Sequence, residues 1–220
     1  MKKKEWKWKR TRVSLKGKQK EQEFGQKKKE LEKLKWYEKK GYIKLKYLDE
    51  AGFCLWSSAS YSYSKKGEQK KIQQKKKRGK RLSILGLFSQ EESFEYGLKL
   101  GGFQSKSYIE MINWQAEKAE DILKKTGKIT VIVLDNYSVH KSKEVKKNLE
   151  KWRKKGLEFF LISAYSPELN LIETEWHQLK THELSGRMFE DEYDLAMAVI
   201  DGIEKRSKKN NCVWERFRFD

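Results

Sequence analysis

Ile129-Thr130-Val131-Ile132-Val133-Leu134-Asp135 opens the stretch that decides the fold of this chain, and Ala164-Tyr165-Ser166-Pro167-Glu168-Leu169-Asn170-Leu171-Ile172-Glu173 leads to its close. The first run is apolar until it ends on an acid, as a strand covered on both faces would be. A polar turn, Asn136 to Ser142, and a helical pattern up to Gly156 follow. A second apolar run, Leu157 to Ile162, empties into the loop that holds Pro167, and a helix continues through Trp176 and Lys180 to Ser185-Gly186. Two β-rich runs around one helix predict a βαβ unit with parallel strands. Open α/β sheets take their ligands at the carboxyl ends of such strands. Asp135 stands at one of those ends, and Glu173 lies just beyond the other.

Working outward, Tyr42 to Asp49 alternates, with Ile43, Leu45, Tyr47 and Asp49 on one face and Lys44 and Lys46 on the other. That is a strand whose apolar face ends in a carboxylate. Ala51-Gly52 turns the chain, and Phe53 to Trp56 continues it into a lysine-rich insertion over about residues 57–80, which has little to bury. Arg81–Phe88 and Phe94–Leu100 read as second and third strands. Ser105 is the expected N-cap of a helix over Lys106–Lys125, closed by Gly127. Phe189–Arg206 reads as the last helix, acidic at its start and basic at its end, as the helix dipole favours. The aromatic tail from Trp214 is expected to dock on the body. Upstream, Phe24, Leu31, Leu34 and Tyr37 form one stripe of a helix that Gly41 stops.

Three leading strands on short connections pair antiparallel, and two later ones add in parallel through helices. The expected class is α/β: a ribonuclease H-like mixed five-stranded sheet flanked by helices over residues 41–220, preceded by a basic arm and helix over residues 1–40.

A chain of 220 residues can bury one good core. Its net charge of +19 is concentrated: residues 1–40 carry +11 and residues 65–81 carry +9, which leaves the remainder close to neutral. Two basic stretches on a neutral body suit a polyanion, and nucleic acid is the expected partner, bound with strong salt dependence. Trp6 and Trp8 alternate with lysines in an arm whose indoles can meet a base, a sugar or another domain. An aromatic content of 13% argues against wholesale disorder. No apolar run is long enough for a membrane span and no signal peptide opens the chain, so no membrane partner is expected. Cys54 and Cys212 lack metal spacing and read as buried thiols of a reducing cytoplasm. His140, His177 and His182 lack zinc spacing.

Asp49, Asp135 and Glu173 come from three separate places, two from central neighbouring strands and one from a helix leaning over their ends. Like charges gather only around a counter-charge. Oxygen-only ligands select Mg²⁺ or Mn²⁺, and two such ions about 3.5–4 Å apart clamp the attacking and leaving oxygens of a phosphoryl displacement. Taken singly, each acid also has an ordinary role, as turn former, helix cap or exposed helix residue. Asn136 serves as a turn residue as readily as a site residue. His140 would orient phosphate or cap the next helix. Lys180, two helical turns past Glu173 with Trp176 and His177 on that side, would hold a phosphate or stand exposed. Lys180, His140, Lys141, Arg78 and Arg81 are the candidate DNA contacts.

These residues together resemble the DDE transposases of bacterial insertion sequences, within the mariner superfamily. The resemblance is carried by Tyr47-Leu48-Asp49-Glu50-Ala51-Gly52-Phe53, by Leu134-Asp135-Asn136 with His140-Lys141-Ser142, and by Tyr165 to Glu173 with Trp176 and Lys180. Asp135 and Glu173 are separated by 37 residues, a spacing such enzymes use. The resemblance spans about residues 20–185. It implies metal ligands at Asp49, Asp135 and Glu173, two Mg²⁺ or Mn²⁺ ions, and cleavage and strand transfer of element-end DNA into a TA-containing target. It further implies a homodimer, and a prokaryotic cytoplasm with the chain on the nucleoid. Leu171 stands where the family usually has proline, and Tyr63 where tryptophan is common. The family normally begins with helix-turn-helix modules, absent before residue 40, so an upstream domain or reading frame is expected, or else a fragment, a frameshifted second frame or a decayed copy. Two other readings stay open: a ribonuclease H-like nuclease that cuts without joining, and a non-catalytic DNA-binding remnant.

Overall fold

The alternation that begins at Tyr42 produces β1 (Ile43–Phe53), the strand on which the sheet is assembled. The computed structural model describes residues 16–56, 65–68, 71, 79–135 and 142–219. Trp6, Trp8, Tyr63, Arg78, Asn136, His140 and Lys141 therefore lie outside the described residues. β2 (Leu82–Ser89) pairs antiparallel with β1, and β3 (Ser93–Leu100) antiparallel with β2. β4 (Ile129–Leu134) joins the other edge of β1 in parallel, and β5 (Leu157–Leu161) adds in parallel to β4. These five strands pair in the mixed ribonuclease H-like arrangement that the sequence leads one to expect.

A sixth strand was not expected. β6 (Val213–Phe217) pairs in parallel with β3 and completes the order β5-β4-β1-β2-β3-β6. The tail thus docks through its backbone as well as its aromatic rings. An open edge at β3 would leave a row of unpaired N–H and C=O groups, and β6 covers it.

Among the described residues five helices cover the two faces: α1 (Glu21–Lys39), α2 (Ser105–Thr126), α3 (Lys143–Lys154), α4 (Ile172–Gln178) and α5 (Glu192–Lys209). One face presents Leu45, Tyr47, Ile84, Val131 and Val133 to Leu31 of α1, Ile172 and Trp176 of α4, and Leu195 and Val199 of α5. The other presents Leu48, Leu85, Leu87, Ile132 and Leu134 to Tyr108, Met111 and Ile112 of α2 and Val145 and Trp152 of α3. Coverage on both sides explains why β2 and β4 read as continuous apolar runs.

The helix ends follow local chemistry. Gly127 closes α2 at φ +71°, a left-handed conformation that suits glycine. Ser142 caps α3 by accepting from Val145 N at 3.2 Å, and Asp191 caps α5 by accepting from Asp194 N at 2.8 Å. Ser105 is not the N-cap expected of it. It lies inside the first turn, and extended Gln104 marks the boundary without a side-chain bond. Tyr37 leaves the α1 stripe, 43% exposed, to pack with Trp36 and Tyr42. Among the described residues no helix is long and apolar enough to cross a membrane.

Lys46 shares a face of β1 with Leu48, and α2 covers that face, so the lysine is 5% exposed. Its Nζ donates to Glu95 Oε2 at 2.5 Å and to Gln115 Oε1 at 2.9 Å, while Lys118 bonds the other Glu95 oxygen at 2.8 Å. Burial raises the Glu95 carboxyl, but the two lysine charges outweigh it and hold the group below the usual range. Lys46→Met is expected to cost about 2–3 kcal/mol by urea denaturation, less than a fully unpaired buried acid because Lys118 remains. The double variant Lys46→Met, Glu95→Met should recover most of that loss.

Candidate active site

β1 and β4 stay in register up to Tyr47↔Val133. Carried on by two residues, that register leads to Asp49 on β1 and to Asp135, just past the end of β4, at the carboxyl end of the sheet. Asp49 projects on the Tyr47 face, the face that α4 covers. The chain reaches α4 through one tight turn, Pro167–Leu169, with proline at its first position. Glu173 follows in the first turn of α4, its N–H donating to Asn170 O at 3.1 Å.

Trp176, one turn on, is 2% exposed and packs edge-on to Phe94 at 5.5 Å between centroids. It reaches the sheet directly over Gly86, the residue paired with Asp49. A Cβ at Gly86 would lie 2.6 Å from the Trp176 ring, so only glycine admits the indole there. Gly86 belongs to none of the motifs that the sequence presents. Its signal was available: a lone glycine inside an apolar strand often marks a close approach.

The electrostatics couple the three acids. Burial first, then the Glu173 charge and more weakly that of Asp135, push the Asp49 carboxyl up to about 7. The Glu50 amide and the Trp176 indole N–H work in the opposite sense, although the indole closes no hydrogen bond of ordinary geometry. Glu173 is also raised, by burial and by Asp135, against the pull of the Lys180 ammonium. Asp135 lies one residue past the end of β4 and acts on both sides of the sheet. Its charge adds to burial in raising the hydroxyl of Tyr108, on the α2 side. Among the described residues no three acidic, histidine or cysteine side chains stand close enough together to hold an ion as placed.

The remaining candidates separate. α4 does not run on as one regular helix, because Leu179–Glu183 widens into a π turn that seats Leu179 beside Gly202 of α5. Lys180 lies in that turn with its Nζ 5.5 Å from the Phe53 ring centre, near enough to act on Glu173. Arg81 lies over Gly52 and pairs with Glu50 at 3.2 Å, which satisfies part of its charge within the sheet. Gln19, ahead of α1, donates to Tyr165 O at 2.7 Å and Glu168 Oε1 at 3.0 Å, which ties the upstream segment to the loop that delivers Glu173. Cys54 and Cys212 are free thiols.

The sequence pattern of the DDE superfamily endonucleases matches residues 44–196, a span that holds all three acids. The chain belongs to the DDE superfamily endonucleases. No curated protein matches it. Solved structures similar to this endonuclease include a pre-cleavage Mos1 transpososome, 18% identical with a TM-score of 0.66, covering 94% of this chain and 67% of that one. The mariner Mos1 paired-end complex with Mg is 17% identical with a TM-score of 0.67, covering 93% of this chain and 61% of that one. The Mos1 mariner transposase catalytic domain is 15% identical with a TM-score of 0.56, covering 92% of this chain and 94% of that one. The endonuclease chain spans 65% of the Mos1 transposase chain in a paired-end complex with the left transposon end. At these identities the likeness concerns the fold.

The donor set of this DDE endonuclease fits a hard divalent cation. All three groups are carboxylates, and each charged acid makes the next harder to ionise, which a bound cation reverses.

Proposed function

We propose that this chain is the catalytic domain of an insertion-sequence transposase, which cuts DNA at the element's ends and joins the freed ends to target DNA. The reading rests on one observation above all. In a DDE endonuclease domain, Asp49 is half-buried and its carboxyl is raised to about 7, first by burial, then by the Glu173 charge and more weakly by Asp135. An arrangement that penalises its own charge suits a cationic cofactor better than a purely structural role. The solved Mos1 complexes with Mg and with Mn support the choice of metal by analogy.

Asp49, Asp135 and Glu173 would hold two Mg²⁺ or Mn²⁺ ions. Bound there, the ions supply Lewis acidity, making water a nucleophile near neutral pH and offsetting charge on the phosphate. The chain's own residues do the rest. Trp176 and Ile172 fix the helix that carries Glu173, and the low-polarity wall they form strengthens every charge interaction inside. Lys180 meets the phosphate next to the scissile bond, and the basic stretches hold the DNA backbone. In the first step a water oxygen bonds to phosphorus and the P–O3′ bond breaks, which leaves a 3′-hydroxyl. That hydroxyl oxygen then bonds to phosphorus in a target phosphodiester, whose own P–O3′ bond breaks and leaves a free 3′-hydroxyl on the target strand. A homodimer, an upstream helix-turn-helix domain or reading frame, and a prokaryotic nucleoid setting complete the proposal.

The test is Mn²⁺-dependent nicking of element-end DNA by the wild-type chain joined to its upstream DNA-binding region, alongside Asp135→Asn in the same protein. Nicking by the wild type alone, with joined products in a strand-transfer assay, is the expected result. Equal nicking by both proteins would dismiss the assignment, and nicking without joined products would favour a simple nuclease.

A further inference from the structure

The loop between β5 and α4 passes over β1, and a single buried side chain pins it there. Asn170 is 3% exposed, and its Nδ2 donates to Leu48 O at 3.0 Å. Leu48 is the residue immediately before Asp49. The Asn170 carbonyl accepts from Glu173 N at 3.1 Å, and its own N–H donates to Pro167 O at 3.0 Å. One residue therefore grips the strand that carries Asp49 through its side chain, and the first turn that carries Glu173 through its backbone.

We propose that Asn170 is a positioning residue that sets the separation of the Asp49 and Glu173 carboxylates for divalent-ion binding, a role that rests on the metal-dependent reading above. The chemistry favours positioning over simple packing. Asn170 Oδ1 is buried without a hydrogen-bond partner, which makes the amide a poor choice for stability alone. An apolar residue of similar size would fill the space without that orphaned oxygen, at the expense of the Leu48 carbonyl's donor. What the amide adds is a donor of one particular length aimed at a backbone carbonyl. Aspartate would turn an acceptor toward that carbonyl, and glutamine would push the loop outward by a methylene. The partner is backbone, so the contact fixes the strand itself rather than a rotatable side chain.

The decisive measurement is calorimetric titration of Mn²⁺ into the full chain at pH 8, without DNA, with melting temperatures recorded in parallel. Asn170→Leu and Asn170→Gln are expected to weaken Mn²⁺ binding about tenfold, the lower range for losing a group that orients a metal ligand. Leu169→Ala is the control, since it loosens the same turn through packing alone. It should lower the melting temperature and leave Mn²⁺ affinity within about twofold. Asn170→Leu should melt within a few degrees of the wild type, because the Leu48 carbonyl left without its donor is offset by removal of the unsatisfied buried oxygen. Asn170 variants that bind Mn²⁺ as the wild type does would overturn the role, as would a Leu169→Ala protein weakened to the same extent. A wild-type chain that takes up no Mn²⁺ sinks the metal reading itself and this inference with it, a pattern distinct from the other two.

Discussion

An Asp49→Asn protein is expected to lose cleavage and gain stability. The loss should be at least about a thousandfold, because the change removes a metal ligand and with it the placement of charge at the reacting phosphate. The gain follows from the raised acidity constant. Asp49 titrates at about 7 in the fold, against an ordinary 3.8. Between those values the folded chain keeps a proton that the unfolded chain gives up, so stability falls as pH rises from about 4 to 7 and stays reduced above. The penalty above pH 7 is at most about 4 kcal/mol, from roughly three units at 1.36 kcal/mol each. Asparagine cannot ionise and escapes it. Thermal unfolding of metal-free wild type and variant at pH 5 and pH 8 checks the claim. The variant should be ahead by about 4 kcal/mol at pH 8 and by less than half of that at pH 5. An Asp49→Asn protein less stable than wild type at pH 8 would show that the carboxylate is held by favourable contacts, which would remove the argument for a cation.

Trp176→Ala should be the most destabilising single change at the site, at about 3–5 kcal/mol in urea titrations. The indole fills the space between Phe94 and Gly86, and nothing near it can move in to replace it: Gly86 has no side chain, and Phe94 is held in the sheet. Cleavage should fall as well, since Ile172 and Trp176 seat the short helix that carries Glu173. Trp176→Phe separates the two effects. It keeps most of the packing and should cost under about 1.5 kcal/mol. It also removes the N–H that faces Asp49. A Trp176→Ala protein as stable as the wild type would mean that α4 is not anchored by this side chain, and the route by which Glu173 reaches the sheet would need another explanation.

Both predictions depend on features with different visibility in the sequence. The βαβ unit was legible because a strand covered on both faces must be apolar throughout, and Ile129–Leu134 is nearly so. The antiparallel pairing of β2 with β3 was legible because so short a connection leaves little other choice, whereas β1 reaches β2 only after the lysine-rich insertion. Lys46 was legible only as the off-face residue of an alternating strand. That its face would be covered by α2, with Glu95 two strands away as its partner, depends on pairing across a third strand, which local pattern does not carry. β6 was missed for a related reason. Val213–Phe217 mixes apolar and charged residues with little burial, and its strand character comes from the open edge of β3 rather than from its own side chains.

What the sequence by itself determined was the order of the elements up to the last helix, and it nominated three candidate acids, because periodicity, caps and the Tyr165–Glu173 motif are local properties of the chain. What only the tertiary structure decided was how those acids stand to one another: Asp49 half-buried and raised by desolvation and by Glu173, Asp135 just past a strand end where it also acts on Tyr108, Gly86 clearing a place for Trp176, and Asn170 fastening the loop to β1. Burial and charge–charge coupling depend on distances between residues far apart along the chain. Packing sets those distances, and no local pattern of residues encodes them.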